Sequence, residues 1–230
     1  MLIALLVLAT VGGSAQEYAM FDGAWIHAGF IQELKKTSSV PTAMEAVGEG
    51  EPFWVEIDSS NADGEIVVGF DFGDQQERIL RKTRLHGNTL YWVIGTVEAP
   101  KWAVTMDERT ASYLALYNVG DLGGTPIVLG RLPAERQEAD FLLERIINAA
   151  ILYGAWRDPS DNRYQFGTNM TGEWKGAQAR YHVDVEPTTH NVLLTVEHTS
   201  GRTETYKAER VGSALQLTTS TGTILVLEAE

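Results

Sequence analysis

The chain has 230 residues, a net charge of −13 and no cysteine. Its length allows one large domain or two small ones, and its apolar fraction of 44% supports a buried core rather than general disorder. The missing cysteines exclude disulfides, thiolate metal sites, a cysteine nucleophile and a lipoprotein anchor, while the acidic balance without a long basic run excludes a protein that works by neutralising nucleic-acid phosphates or by docking on anionic lipid.

Leu2 to Val11 is nearly all apolar, and Gly12-Gly13-Ser14-Ala15 offers small residues for cleavage after Ala15. Residues 1–15 therefore read as a signal peptide, too short to span a bilayer, and imply an exported protein with no stable membrane span once the leader is gone. The reading places the protein in a bacterial periplasm or outside the cell. Ala28 to Lys36 has Phe30, Ile31 and Leu34 at helical spacing, with a lysine pair suited to a helix C-terminus. Thr37 to Pro41 is expected to stop that helix, and Glu45 to Glu51 to be a loop.

The period then becomes two. Phe53, Val55 and Ile57 alternate with Trp54, Glu56 and Asp58, and Ile66, Val68, Phe70 and Phe72 share one face of the next strand. Glu77 to Leu85 and Thr89 to Val97 form a hairpin about His86-Gly87-Asn88, and the second of these strands is apolar on both faces. Lys101 to Met106, Ser112 to Asn118 and Ile127 to Leu132 complete a first β unit over residues 16–132. Pro133 to Tyr153 reads as an amphipathic linker helix, started by Pro133, stopped by Gly154 and carrying the stripe Ala139, Leu142, Leu143, Ile146, Ile147, Ala150 and Ile151. A second, smaller unit over 154–230 is again all strand, with runs at Arg163–Phe166, Gly172–Lys175, Ala179–Glu186, Val192–His198, Thr203–Arg210, Ala214–Thr218 and Thr223–Leu227. Many short strands with regular turns point to antiparallel barrels, which remove sheet edges by closure.

Gly23-Ala24-Trp25 and Gly154-Ala155-Trp156 open the two units. About sixty residues after each tryptophan a charged strand turns on a glycine into an apolar strand: Arg78 to Trp92 about Gly87, and Thr205 to Leu217 about Gly212. The offset predicts one structural unit used twice. Gly-x-Trp at the start of the first barrel strand resembles the opening motif of the lipocalins and the wider calycin group. The resemblance implies a mainly β fold of two small antiparallel lipocalin-like β-barrels. It implies structural roles for Gly23, Trp25, Gly154 and Trp156, with each tryptophan plugging the closed end under a basic side chain of the last strand.

Candidate chemistry is sparse. His182, Asp184 and Glu186 alternate onto one strand face, and His198 from the next strand would complete a metal set. A solvated outer face explains the same pattern, with Tyr181, Val183 and Val185 filling the inner one. Glu56 with Asp58 and Asp107 with Glu108 are paired carboxylates on a polar strand face and in a turn, where solvated charge is usual. No nucleophile elbow, metalloprotease, phosphate-loop or dinucleotide motif is present, so no catalytic residue, metal ligand or cofactor is assigned. Arg78, Arg81, Lys82 and Arg84 form the densest basic run, read as the wet face of a strand. Trp54, Tyr91, Trp92 and Trp102 are the candidate ligand-binding residues, with core packing as the competing use. The expected function is non-catalytic binding of a small apolar or amphipathic ligand, in a barrel or between the halves. The alternative is a structural or protein-interaction module with an envelope protein as partner.

Overall fold

The structure is a computed structural model that describes residues 19–61, 64–85, 89–96, 98–106, 111–132 and 139–230. The leader, its cleavage point, the His86-Gly87-Asn88 turn, Val97, the Asp107-Glu108 pair and the Pro133 helix start lie outside these residues. Among the described residues sixteen strands form two closed antiparallel barrels of eight, each with its strands in sequence order. The first contains β1 (Gly23–His27), β2 (Trp54–Ile57), β3 (Glu65–Gly69), β4 (Gln75–Leu85), β5 (Thr89–Gly95), β6 (Pro100–Met106), β7 (Tyr113–Asn118) and β8 (Ile127–Arg131), and closes by pairing Trp25 with Arg131. The second contains β9 (Gly154–Arg157), β10 (Arg163–Phe166), β11 (Thr171–Trp174), β12 (Ala177–Val185), β13 (Val192–His198), β14 (Thr203–Val211), β15 (Ala214–Thr219) and β16 (Ile224–Ala229), and closes by pairing Ala229 with Trp156.

The repeated Gly-Ala-Trp phrase builds the same device in both barrels. Gly23 and Gly154 adopt φ values of 128° and 137°, a region that side-chain-bearing residues rarely enter. The turn sends each tryptophan inward, where Trp25 and Trp156 are essentially fully buried. Each indole N–H donates to the carbonyl four residues earlier, Phe21 and Leu152 respectively, at 2.8 Å in both cases. An arginine covers each ring: Arg131 at 5.2 Å from Trp25 and Arg210 at 5.0 Å from Trp156. Arg131 comes from the eighth strand of its barrel, but Arg210 comes from β14, the sixth strand of the second.

The hairpins matched by offset are not equivalent. Arg78 to Trp92 spans β4 and β5, the fourth and fifth strands of its barrel, whereas Thr205 to Leu217 spans β14 and β15, the sixth and seventh. The reason is the β1–β2 connection of the first barrel, which carries α1 (Ala28–Thr37) and α2 (Val40–Met44) and uses up the residues that make two further strands in the second. The His27 ring caps α1 by accepting from Phe30 N at 3.3 Å, and Ser38 ends it in the left-handed conformation (φ 52°). The stretch expected to be only a breaker then starts α2, because Ser39 caps it and Pro41 falls in its first turn.

The linker is helical as α3 (Ala139–Ile147) and continues as a wider π turn over Asn148–Leu152, closed by Tyr153 N donating to Asn148 O at 2.8 Å. Asn148, 1% exposed, donates from Nδ2 to Gly167 O at 2.9 Å and accepts from the Tyr181 hydroxyl at 3.1 Å, so this turn closes one end of the second barrel. Burial pushes the Tyr181 hydroxyl well above its ordinary pKa and keeps it a donor. Inside that barrel aromatic rings fill the space edge to face, Tyr164 against Trp174 at 5.0 Å and Phe166 against Tyr181 at 5.2 Å.

The two barrels are not separate cores joined by a tether. One buried cluster runs from Tyr181 and Leu194 inside the second barrel, through Leu143, Ile147 and Leu152 of the linker, to Phe30, Leu34, Val40 and Ala43 of the helices and to Ala24, Ile26 and Trp54 of the first barrel. Ala24, Ile26 and Trp54 alternate with Trp25 and Val55, which belong to the first barrel's interior cluster. They are thus outward-facing residues covered by the helices and the second barrel.

Candidate functional site

The loops between strands hold the seam. The β3–β4 turn of the first barrel reaches the β12–β13 turn of the second, and Asp71 Oδ1 accepts from His190 Nε2 at 2.8 Å. Phe72 lies 6.0 Å from the His190 ring and 4.9 Å from the Phe53 ring, and Gly73 sits so close to Pro187 that a Cβ would approach its ring at 2.9 Å. The second turn is shaped by its own polar bonds: Asn191 Nδ2 donates to Glu186 Oε2 at 3.3 Å, and His190 adopts φ 55°. The Thr189 hydroxyl also bonds to Glu186, and together these donors hold the Glu186 carboxylate below its ordinary pKa.

Two cavities flank this junction. One of about 160 Å³ is lined by Trp54, Asp71, Phe72, Gly73 and Gln75. The other, of about 80 Å³, lies between Ser38 to Pro41 on the first barrel's side and Ile151, Asn191 and Lys207 on the second's. An apolar cavity of about 150 Å³ holds a benzene-sized molecule, and a drug-sized pocket runs from about 300 Å³ upward. The larger cleft therefore suits a molecule of one ring or a short chain.

The candidate aromatic residues do not converge. Trp54 lies against Gly69 of the neighbouring strand and lines the larger cleft; a Cβ on Gly69 would fall 2.0 Å from its Nε1. Trp92 and Trp102 face the interior of the first barrel. Trp92 turns toward Phe21 at 5.7 Å, and Trp102 toward Phe70 at 5.9 Å under the Lys101 ammonium at 4.3 Å. Tyr91 alternates with Trp92 and faces outward, half-buried. The sequence does not mark Asp71, Phe72 and His190 as site residues. An acid–aromatic pair in a turn and a histidine 119 positions away carry no local signal of their meeting.

The metal set does not assemble. His182 is 60% exposed and 3.5 Å from Glu197, while His198, at opposite parity to Glu197 on β13, lies 3.4 Å from Glu204 and 6.3 Å from the Trp174 ring. Among the described residues no group of three or more histidines, aspartates and glutamates is placed to hold a metal ion. The basic run divides between faces as well. Arg78 and Lys82 lie at the parity of buried Leu80, over the rings of Phe70 (5.9 Å) and Trp92 (5.0 Å), and Arg84 follows them, while Arg81 lies at the other parity. The run is therefore not a single wet face.

A different polar group lies at the other end of the second barrel, where β9 passes to β10 and β14 begins. The Tyr206 hydroxyl donates to Glu204 Oε2 at 2.6 Å, Arg202 Nη2 lies 2.8 Å from Glu204 Oε1, and the Tyr164 hydroxyl donates to Asp158 Oδ2 at 3.0 Å. The Tyr206 bond above all holds Glu204 below its ordinary pKa, and burial raises both tyrosines. Among the described residues no helix is long and apolar enough to cross a membrane. Compared with protein-family models, curated proteins and solved structures, the chain has no match.

Proposed function

We propose that this is an exported, non-catalytic binding protein that takes a small amphipathic ligand in a cleft of the first barrel that borders the seam with the second. The observation that carries the reading is the 160 Å³ cleft, which joins an aromatic wall of Trp54 and Phe72 to the polar groups of Asp71 and Gln75. Apolar walls with a few fixed polar groups are what small-molecule sites share. The packing of Tyr164, Phe166, Trp174 and Tyr181 directs the ligand to the seam rather than to the interior of the second barrel. The matched Gly-Ala-Trp devices support kinship with the lipocalin-like group, whose members close one barrel end in this way.

Native mass spectrometry of the leader-free protein, purified from its own envelope, tests the reading. A co-purifying molecule of the size of one ring or a short chain supports it, and a bare chain with no adduct opposes it. A second reading, as a protein-interaction module, is favoured by one feature. Tyr113 (52% exposed) and Val128 (37% exposed) lie on adjacent strands of the first barrel's outer wall, beside half-buried Ala115 and Tyr117. Contiguous exposed apolar surface of this kind marks contact sites. Replacing Tyr113 and Val128 by lysine would abolish a specific cross-link in intact envelopes under that reading and leave it unchanged under the first.

A further inference from the structure

We infer that the seam cleft selects a small organic cation: an ammonium group on an apolar ring or short chain. This inference rests on the cleft reading above and names the class of molecule. Asp71 carries the argument. Its Oδ1 accepts both from His190 Nε2 at 2.8 Å and from the Phe72 backbone N–H at 2.7 Å, while Oδ2 has no partner among the described residues. The carboxylate is thus fixed in place by one oxygen and offers the other.

The surrounding walls complete the specification. Phe72 presents a ring beside the carboxylate, and an aromatic face attracts a cation through its quadrupole. Trp54, 5% exposed, lines the cleft with its indole packed over Gly69. Gln75 adds an amide. Asp74 shares the turn with Asp71, Glu186 and His190 stand on the facing turn with Lys207 acting on Glu186, and Arg78 and Lys101 lie over the ring of the neighbouring Phe70. The chain's net charge of −13 draws cations toward the same surface. A protonated amine would donate to Asp71 Oδ2 with its apolar body against Trp54 and Phe72. Because Asp71 is held by His190 from the other barrel, both barrels are required for the site.

The test uses three probes of one shape and different charge: 2-phenylethylamine, 2-phenylethanol and phenylacetate. The readout is the set of indole N–H signals of the six tryptophans in a ¹H–¹⁵N spectrum. The amine should move the Trp54 signal saturably and leave those of Trp25 and Trp156 in place. The alcohol should bind about tenfold more weakly, the loss expected for one charge-assisted hydrogen bond, and phenylacetate should not bind. Asp71→Asn keeps the acceptor for Phe72 N and should bring amine and alcohol to equal affinity. Added salt, which needs no variant, should weaken the amine and spare the alcohol. Equal or tighter binding of phenylacetate or the alcohol would overturn the charge inference while leaving the cleft reading intact. Failure of all three probes to move Trp54 would overturn the inference, and the mass spectrum of the natural protein would then decide the cleft reading independently.

Discussion

Gly69→Ala places the seam under direct strain. The new Cβ would lie 2.0 Å from Trp54 Nε1 and 2.2 Å from Cε2, where no real Cβ resides. The indole is rigid and 5% exposed, so it must leave Gly69 and turn into the cleft, or the β2–β3 pairing must open. Forced overpacking costs about 1–3 kcal/mol. Replacing a strand glycine by alanine returns about 0.5–1 kcal/mol through lost unfolded-chain freedom. The net loss is then up to about 2.5 kcal/mol, which lowers the melting temperature by up to roughly 10 °C for a chain of this size. Urea unfolding of Gly69→Ala, Trp54→Leu and the double variant separates clash from context. A smaller side chain at 54 relieves the clash, so the double variant should be more stable than the sum of the single effects predicts by about 1 kcal/mol or more. Additive behaviour, or a Gly69→Ala protein more stable than the parent, would show that Trp54 does not lie over Gly69.

Three further outcomes follow from the geometry. Trp156→Phe removes the indole donor from Leu152 O and should cost about 1–3 kcal/mol by denaturant unfolding, and Trp25→Phe should match it within about 1 kcal/mol because the bond to Phe21 O is the same length. Asn148→Leu deprives Gly167 O of one donor and the Tyr181 hydroxyl of one acceptor, and should lower stability by about 1–3 kcal/mol; an unchanged unfolding midpoint would contradict the closure of the barrel end. His27 has its pKa lowered below 6.5 first by burial, although Glu51 at 3.6 Å pulls it up. Below pH 6.5 the unfolded chain binds this proton more readily than the folded one, so stability is full above that pH and falls as the pH drops toward the folded value. His27→Gln should flatten that slope in a pH series of urea midpoints.

The strands and barrels were readable because each carries its own signal. On β12, Tyr181, Val183 and Val185 are buried while His182 and Asp184 are exposed, as period-two alternation dictates. Α1 ends one residue beyond the expected Lys36, and the Gly-Ala-Trp phrase marks both barrel starts. Other features depend on meetings across the chain that no local pattern encodes. Trp54 occupies the nominally wet face of β2 and is buried because α1, α2 and the second barrel lie over it. The basic run on β4 has Arg78 and Lys82 at the parity of Leu80, because aromatic rings at Phe70 and Trp92 receive their cations. The equal hairpin offset misleads, since the α1–α2 insertion displaces the count by two strands. The His190–Asp71 contact arises only from the packing of one barrel on the other.

Hydrogen–deuterium exchange of the whole protein, with and without 2-phenylethylamine, tests most directly that binding occurs in the cleft that borders the seam. Slowed exchange is expected around Trp54 and Phe70 to Gln75, and in Glu186 to Asn191 through the His190–Asp71 bond, and nowhere else. Protection of interior-lining strands β4 to β6 with none at the two turns would place the ligand inside a barrel and contradict it.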